Sequence, residues 1–424
     1  MIPCASVTET QSQTEPKRPL GTLSLLLLGI NGIVGVGIFF TPSQLAAQAP
    51  GWSSLAVIAV TGLALVPVAL AVSILGSRFD EDGGPVLYAR LAFGEAAGFV
   101  VGWLAYVAAL FSMGTVMSGF MQAVLPSAWG PIVIRGAAIG LLSVLTVIAS
   151  RGIKVSAGVW NTLTVLKLLP LIGLAVLATV LAPKVAVQPT GSTDWPRAML
   201  KATFVFQGFE IVPVLAGQAR SSRRAIPIAV LGSLGVSTVL YLALQRGAVA
   251  GVANLASSGA PLVDTATAYA GSTFGTVVAI GTSVSALGIA FGMVATTPRF
   301  LSALAPASPF GKLSGGRVPL LALWTTWAIV VVLVCIGSVG ELLTLSSLSV
   351  VTQYVVVAFA LAKFGIMRQR DLRPVHLLAA VPPVVIGVIL LRGAESREWI
   401  VAGACAFVGA IIYLAFVRRT HVRA

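Results

Sequence analysis

Two ionisable side chains stand inside stretches otherwise apolar enough to cross a bilayer. Lys167 lies in residues 156–181 and Glu210 in residues 198–217. A charge at such depth costs on the order of 2.5–3.5 kcal/mol on insertion scales, so groups kept there tend to relay protons, pair or bind. Lys167 is eleven residues beyond Ser156. That is about 17 Å along a helix, near the middle of a ~30 Å hydrocarbon core. It must pair, change protonation or line a wet cavity, unless a tilted helix lets it snorkel. Glu210 ends the run Phe204-Val205-Phe206-Gln207-Gly208-Phe209 and precedes Pro213. Its alternatives are a coupling role and a structural hydrogen bond to a neighbouring helix.

A second kind of chemistry needs backbone. The run from Gly29 to Pro42 holds glycines at 29, 32, 35 and 37. Such a helix can unwind and expose N–H and C=O groups to a ligand. Close packing of helices through small residues is the competing reading. A dinucleotide-binding loop is a poor fit, because no strand precedes the run.

These residues sit in a chain of 424 residues with 57% hydrophobic and only 9% charged side chains. Its mean hydropathy is +0.98. Soluble domains carry about 25% charge, so soluble, disordered and nucleic-acid-binding classes are excluded and a polytopic membrane protein remains. The formal charge of +14 then reports topology rather than an acidic partner. Three scattered cysteines have no metal or disulfide spacing, and His376 and His421 lie near span ends. No nucleophile with a base and no metal cluster is visible, so an enzyme is not expected, nor a metal or cofactor. No repeated filter motif suggests a channel. The polar N-terminus shows no signal peptide.

Charge, proline and glycine divide the chain into twelve candidate spans. Residues 19–77 hold the first two, parted at Pro50-Gly51. The third and fourth are parted near Pro126, and the fourth ends at Arg151 and Lys154. The fifth covers 156–181, the sixth 198–217, the seventh 225–247 and the eighth 275–301. The rest cover 318–338, 342–364, 374–391 and 399–417. Segments 84–96 and 251–272 read as interfacial or re-entrant helices. With the N-terminus inside, seven of the 27 Lys and Arg fall at outer ends: Arg135, Lys184, Arg197, Lys201, Arg246, Arg392 and Arg397. Nineteen fall inside and Lys167 on neither side. This bias predicts both termini in the cytoplasm, in the plasma (inner) membrane. The interrupted spans are one and six. Interrupted segments in matching positions of two halves point to an inverted-repeat transporter. The expected division is a tail at 1–19, five-helix repeats at 20–182 and 183–366, and two further helices with a tail at 367–424.

The motifs are familiar. Gly35-Val36-Gly37-Ile38-Phe39 resembles the G-S-G-I-F element of amino-acid permeases in the amino acid–polyamine–organocation (APC) superfamily. Phe206-Gln207-Gly208-Phe209-Glu210, Ala216-Gly217-Gln218 and Arg223-Arg224-Ala225-Ile226-Pro227 resemble that family's sixth-helix pattern. Arg151-Gly152-Ile153-Lys154, Asn161 and Val165-Leu166-Lys167-Leu168 are similar to its fifth helix, and Pro298-Arg299 to the end of its eighth. The resemblance covers most of the first eight spans. It implies a LeuT-like fold, all-α, with five-plus-five inverted repeats and broken helices 1 and 6. It also implies a substrate carboxylate on the N–H groups of Val36 and Gly37 in the Gly35–Gly37 break. The ammonium would lie on carbonyls of Ile33, Phe204, Val205 and Gln207, with Phe204 as an aromatic gate. Lys167 and Glu210 are implied to serve coupling, and a cation at Lys167 argues against sodium. Further pocket-wall candidates are Tyr106, Leu110, Met293, Ser346, Ser349 and Thr352.

The sequence departs from the family at three places. Val36 replaces a small hydroxyl, Gln218 a glutamate, and Ser221-Ser222 an Asn-Pro pair. The last two put the family's cytoplasmic ion-pair gating in doubt. Thr282, Ser283 and Ser285 could complete a sodium site, or pack. Glu210 is the one acid in the wall spans, so a neutral, apolar amino acid is the expected substrate, with protons as the coupling ion. An amino-acid or amine exchanger, or a polyamine or organocation transporter, is the same-fold alternative. Partners are expected to be the substrate, protons and the bilayer, with no nucleic acid and no protein subunit.

Overall fold

The computed structural model describes residues 20–35, 37–79, 81–151, 157–181, 190–305, 308–313 and 318–417. Of residues 127, 157–166 and 416–417 only the backbone is described. The tail 1–19, Val36, Gly152–Lys154 and the Asn161, Val165 and Leu166 side chains therefore lie outside the described parts. Among the described residues there are helices and no strand. In order they are α1 (Thr22–Ile33), α2 (Gly37–Ala46), α3 (Trp52–Arg78), α4 (Gly84–Phe93), α5 (Glu95–Val124), α6 (Gly130–Ser150) and α7 (Ala157–Val180). There follow α8 (Trp195–Phe206), a 3₁₀ stretch (Phe209–Gln218), α9 (Ser222–Gly251), α10 (Pro261–Leu304), α11 (Leu320–Ile336), α12 (Val339–Ile366), α13 (His376–Leu391) and α14 (Ser396–Ile412).

Helices prevail because lipid cannot satisfy a free N–H or C=O. Among the described residues, eight stretches are long and apolar enough to cross a membrane, or nine if α1 and α2 form one bent span. Lys167–Val180 of α7, α11 and α13 are shorter apolar helices. The chain is thus an integral, multi-pass membrane protein. Its outer surface agrees: Ile132 is 83% exposed and Leu378 74%. Several buried hydroxyls are satisfied within their own helices. Thr115 donates to the Phe111 carbonyl at 2.9 Å and Thr146 to Leu142 at 2.8 Å.

The two short segments are short in the structure too. The first is α4. The second is a 3₁₀ turn at Leu255–Ser257 followed by the first turns of α10, which breaks at Gly271 (φ 80°, ψ 175°) before its long arm. α3 packs on α9, α1 on α9, and α3 on α8. α12 lies on α5, and α10 on both α5 and α7. These helices enclose the fully buried rings of Phe206, Phe209 and Tyr241.

Candidate functional site

Both glycine-containing interruptions are real breaks, and they touch. The N–H of Val34 still donates to the Ile30 carbonyl at 2.8 Å, but that of Gly35 turns back to Ile33 at 2.7 Å. α2 resumes at an angle of 46°. In the other break, Gln207 is extended (φ −62°, ψ 143°) and Gly208 has φ +127°. Only glycine adopts that φ without strain. A Cβ on Gly208 would overlap the Gly32 carbonyl carbon and lie 2.5 Å from its oxygen. The two backbones therefore pack directly, with no room for a side chain at Gly208 and a tight 3.0 Å approach to the Gly208 oxygen for a Cβ on Gly32.

Each break strands carbonyls that a continuous helix would use. The Asn31 carbonyl should accept from Gly35, which has turned away. Lys167 takes it, with Nζ 3.4 Å from that oxygen. Lys167 is 3% exposed, and among the described residues this is its one hydrogen bond. The Ile33 and Val205 carbonyls lose their partners four residues on in the same way. Tyr241, from α9, serves both: its hydroxyl donates to Ile33 at 2.8 Å and lies 3.1 Å from the Val205 oxygen. One phenol thus joins the two broken spans.

Glu210 sits at the start of the 3₁₀ stretch. Its Oε2 accepts the Gly208 N–H at 2.9 Å and the Tyr354 hydroxyl of α12 at 3.2 Å. The ring of Tyr354 stacks on Phe209, centroids 5.5 Å apart. A carboxylate at a helix N-terminus meets unpaired N–H groups and the positive end of the dipole. That is a local reason for an acid at mid-span.

Gln207 faces a chain of hydroxyls. Ser346 donates to its Oε1 at 3.1 Å, so the proton in the 2.7 Å Ser112–Ser346 contact comes from Ser112. Nε2 of Gln207 reaches Ser347 at 3.4 Å. Phe204 lies over the start of α2: a Cβ on Gly37 would be 2.9 Å from its ring, and Phe40 is 6.2 Å away, centroid to centroid. Gly35 faces Ile289 of α10.

The structure thus brings Ile33, Gly35, Gly37, Phe204, Val205, Gln207, Lys167 and Glu210 around the two breaks. Val36 lies outside the described residues. Tyr106 is turned elsewhere. Its hydroxyl is 3.0 Å from Thr326 of α11 and its ring packs on Trp103. Met293 is half-buried in α10 and Leu110 buried in α5, with no polar role. Ser349, Thr352, Thr282 and Ser283 donate to carbonyls four residues back in their own helices. The Ser285 hydroxyl is buried without a partner among the described residues. No group of His, Cys, Asp and Glu among the described residues could hold a metal ion.

At the other end of the 3₁₀ stretch, Gln218 does engage an acid. Its Nε2 donates to Asp82 at 3.2 Å, and the Gly217 N–H donates to the same carboxylate at 3.0 Å. Arg223 pairs with Asp371 at 3.1 Å. The sequence reading missed Tyr241, Tyr354, Ser112 and Ser347, polar residues within apolar helices. The last candidate span, 399–417, starts one residue past Glu398, which is buried in α14 and paired with Arg197.

The family model described as Amino acid permease matches residues 20–420. An uncharacterized transporter of Mycobacterium tuberculosis is 26% identical, over 96% of this chain and 93% of that protein. A putative arginine/ornithine antiporter of Escherichia coli K12 is 27% identical over the same shares. A methylthioribose transporter of Bacillus subtilis is 25% identical over 54% of each chain.

Proposed function

The chain belongs to the amino acid permease family, and from that premise we propose that it is a proton-coupled secondary transporter of neutral, apolar amino acids. The observation that carries this is the meeting of the two breaks at Gly32 and Gly208, with Lys167 on a stranded carbonyl of one and Glu210 capping the other. Unwound helix ends offer donors to a carboxylate and acceptors to an ammonium, which is what an amino acid's backbone requires.

Counting α1–α2 once and the three shorter apolar helices as crossings gives twelve spans. On that count the first five and second five form the inverted repeats, and their contacts come in matched pairs. α1 against α9 mirrors α8 against α3, and α5 against α12 mirrors α10 against α7. The excess of Lys and Arg in one set of loops supports both termini on the cytoplasmic side of an inner or plasma membrane.

In this account the N–H groups of Val36 and Gly37 hold the substrate carboxylate, beneath Phe204. Val205 and Phe204 carbonyls, with Gln207, hold the ammonium. The Ile33 carbonyl already accepts from Gly35 and Tyr241, so it joins only when Tyr241 withdraws. Around the breaks Glu210 is the one acid among the described residues, and its Oε2 is engaged twice. A cationic substrate would leave its side-chain charge unpaired. Lys167 and Glu210 change partners or protonation as the halves rock.

Exchange is the second reading. It is favoured by the relative named as an antiporter, and there the substrate itself would drive the return step. Uptake into proteoliposomes, with and without a pH gradient, separates the two. Accumulation that follows the pH gradient supports symport. Counterflow alone supports exchange.

A further inference from the structure

A second polar site lies away from the breaks, where α8 and α12 begin. Lys201 is one helical turn beyond Arg197 and about one turn before Phe204, so all three share a face of α8. Its side chain is 7% exposed, yet it makes no hydrogen bond and no ion pair among the described residues. It borders a cavity of about 290 Å³ that is also lined by Gln44, Gln122, Val339 and Gly340. Its Nζ stands 3.7 Å from the point a Cβ on Gly340 would occupy.

The other charges bordering this cavity are already engaged. Arg197 pairs with Glu398 and with Glu395 at 3.0 Å. Glu341 accepts the Ser338 N–H at 2.9 Å and Arg397 at 2.8 Å. Glu398 keeps one oxygen, Oε1, bare and buried, and is the rival partner for Lys201. Val339 and Gly340 are the first two residues of the 28-residue α12. Their N–H groups have no acceptor within the helix. The Ser338 side chain caps the Glu341 N–H instead, at 3.2 Å. The cavity therefore gathers a desolvated ammonium, N–H groups at the positive end of a long helix that have no acceptor among the described residues, and two carboxamides.

We propose that this cavity is a binding site for one small carboxylate. Lys201 supplies the charge, and the start of α12 supplies donors to the second oxygen. A planar anion with two acceptor oxygens spans both sets of donors, whereas a halide reaches one. The site stands on its own geometry and does not depend on the transport reading.

The test is thermal unfolding of the purified full chain in detergent, titrated with sodium acetate at ionic strength held constant with sodium isethionate. A parallel titration uses sodium chloride. The expected result is a saturable rise in midpoint with acetate, not matched by chloride, with half-saturation raised at least tenfold in Lys201→Met. Gly340→Ala keeps the lysine but puts a methyl 2.9 Å from Gln44 Oε1, and should also raise half-saturation at least tenfold. It decides the matter should Lys201→Met fail to fold. A rise that never saturates, or half-saturation unchanged in the variants, overturns the site. An equal saturable rise with chloride overturns the carboxylate assignment.

Discussion

Gly208 lies so close to Gly32 that a Cβ on it would overlap the Gly32 carbonyl carbon. This contact holds the two broken spans together. Gly208→Ala faces both the overlap and φ +127°. Left-handed backbone alone costs an L-residue about 1–2 kcal/mol. We expect a lower unfolding midpoint and loss of uptake. Gly136→Ala, in α6 with nothing within 4 Å of its Cβ, should leave the midpoint unchanged or raise it, by up to ~1 kcal/mol of helix propensity. Equal midpoints for the two variants would contradict a tight contact.

Lys167→Ala removes the ammonium from the Asn31 carbonyl. Concentrative uptake should be abolished while substrate binding is spared. Uptake by this variant that keeps the wild-type dependence on pH would rule out a coupling role for the lysine.

Glu210→Gln retains an oxygen that can accept from Gly208 and Tyr354, but not the charge. Transport rate should fall more than affinity. Tyr354→Phe, which removes one donor to the same oxygen, should move the rate in the same sense by less. A fall in affinity without a fall in rate would instead make Glu210 a substrate contact.

Tyr241→Phe deletes the hydroxyl shared by the Ile33 and Val205 carbonyls. A buried acceptor left unpaired costs about 1–3 kcal/mol. The unfolding midpoint should drop, although Ile33 keeps its Gly35 partner. A midpoint equal to wild type would mean that water or substrate takes the hydroxyl's place at no cost.

The breaks were legible because glycine marks them: a cluster in the first, and in the second Gly208, whose φ of +127° favours glycine. Gly35, Gly37 and Gly208 stand within apolar runs otherwise long enough to span as helices. The depth of Lys167 and Glu210 was legible because charge is scarce in apolar runs. What could not be read is direction around a helix. α5 is apolar on all sides, so nothing in its sequence says that Tyr106 turns to Thr326 while Ser112, six residues on, turns to Ser346. Tyr241 was hidden for the same reason. Its partners are backbone carbonyls, which carry no sequence signature until the break that strands them is known.

The most direct test of the central claim is uptake into proteoliposomes across a panel of radiolabelled amino acids, with and without an inward proton gradient or sodium. The account predicts gradient-driven accumulation of a neutral, apolar amino acid, independent of sodium. No accumulation and no counterflow of any amino acid or amine would contradict it.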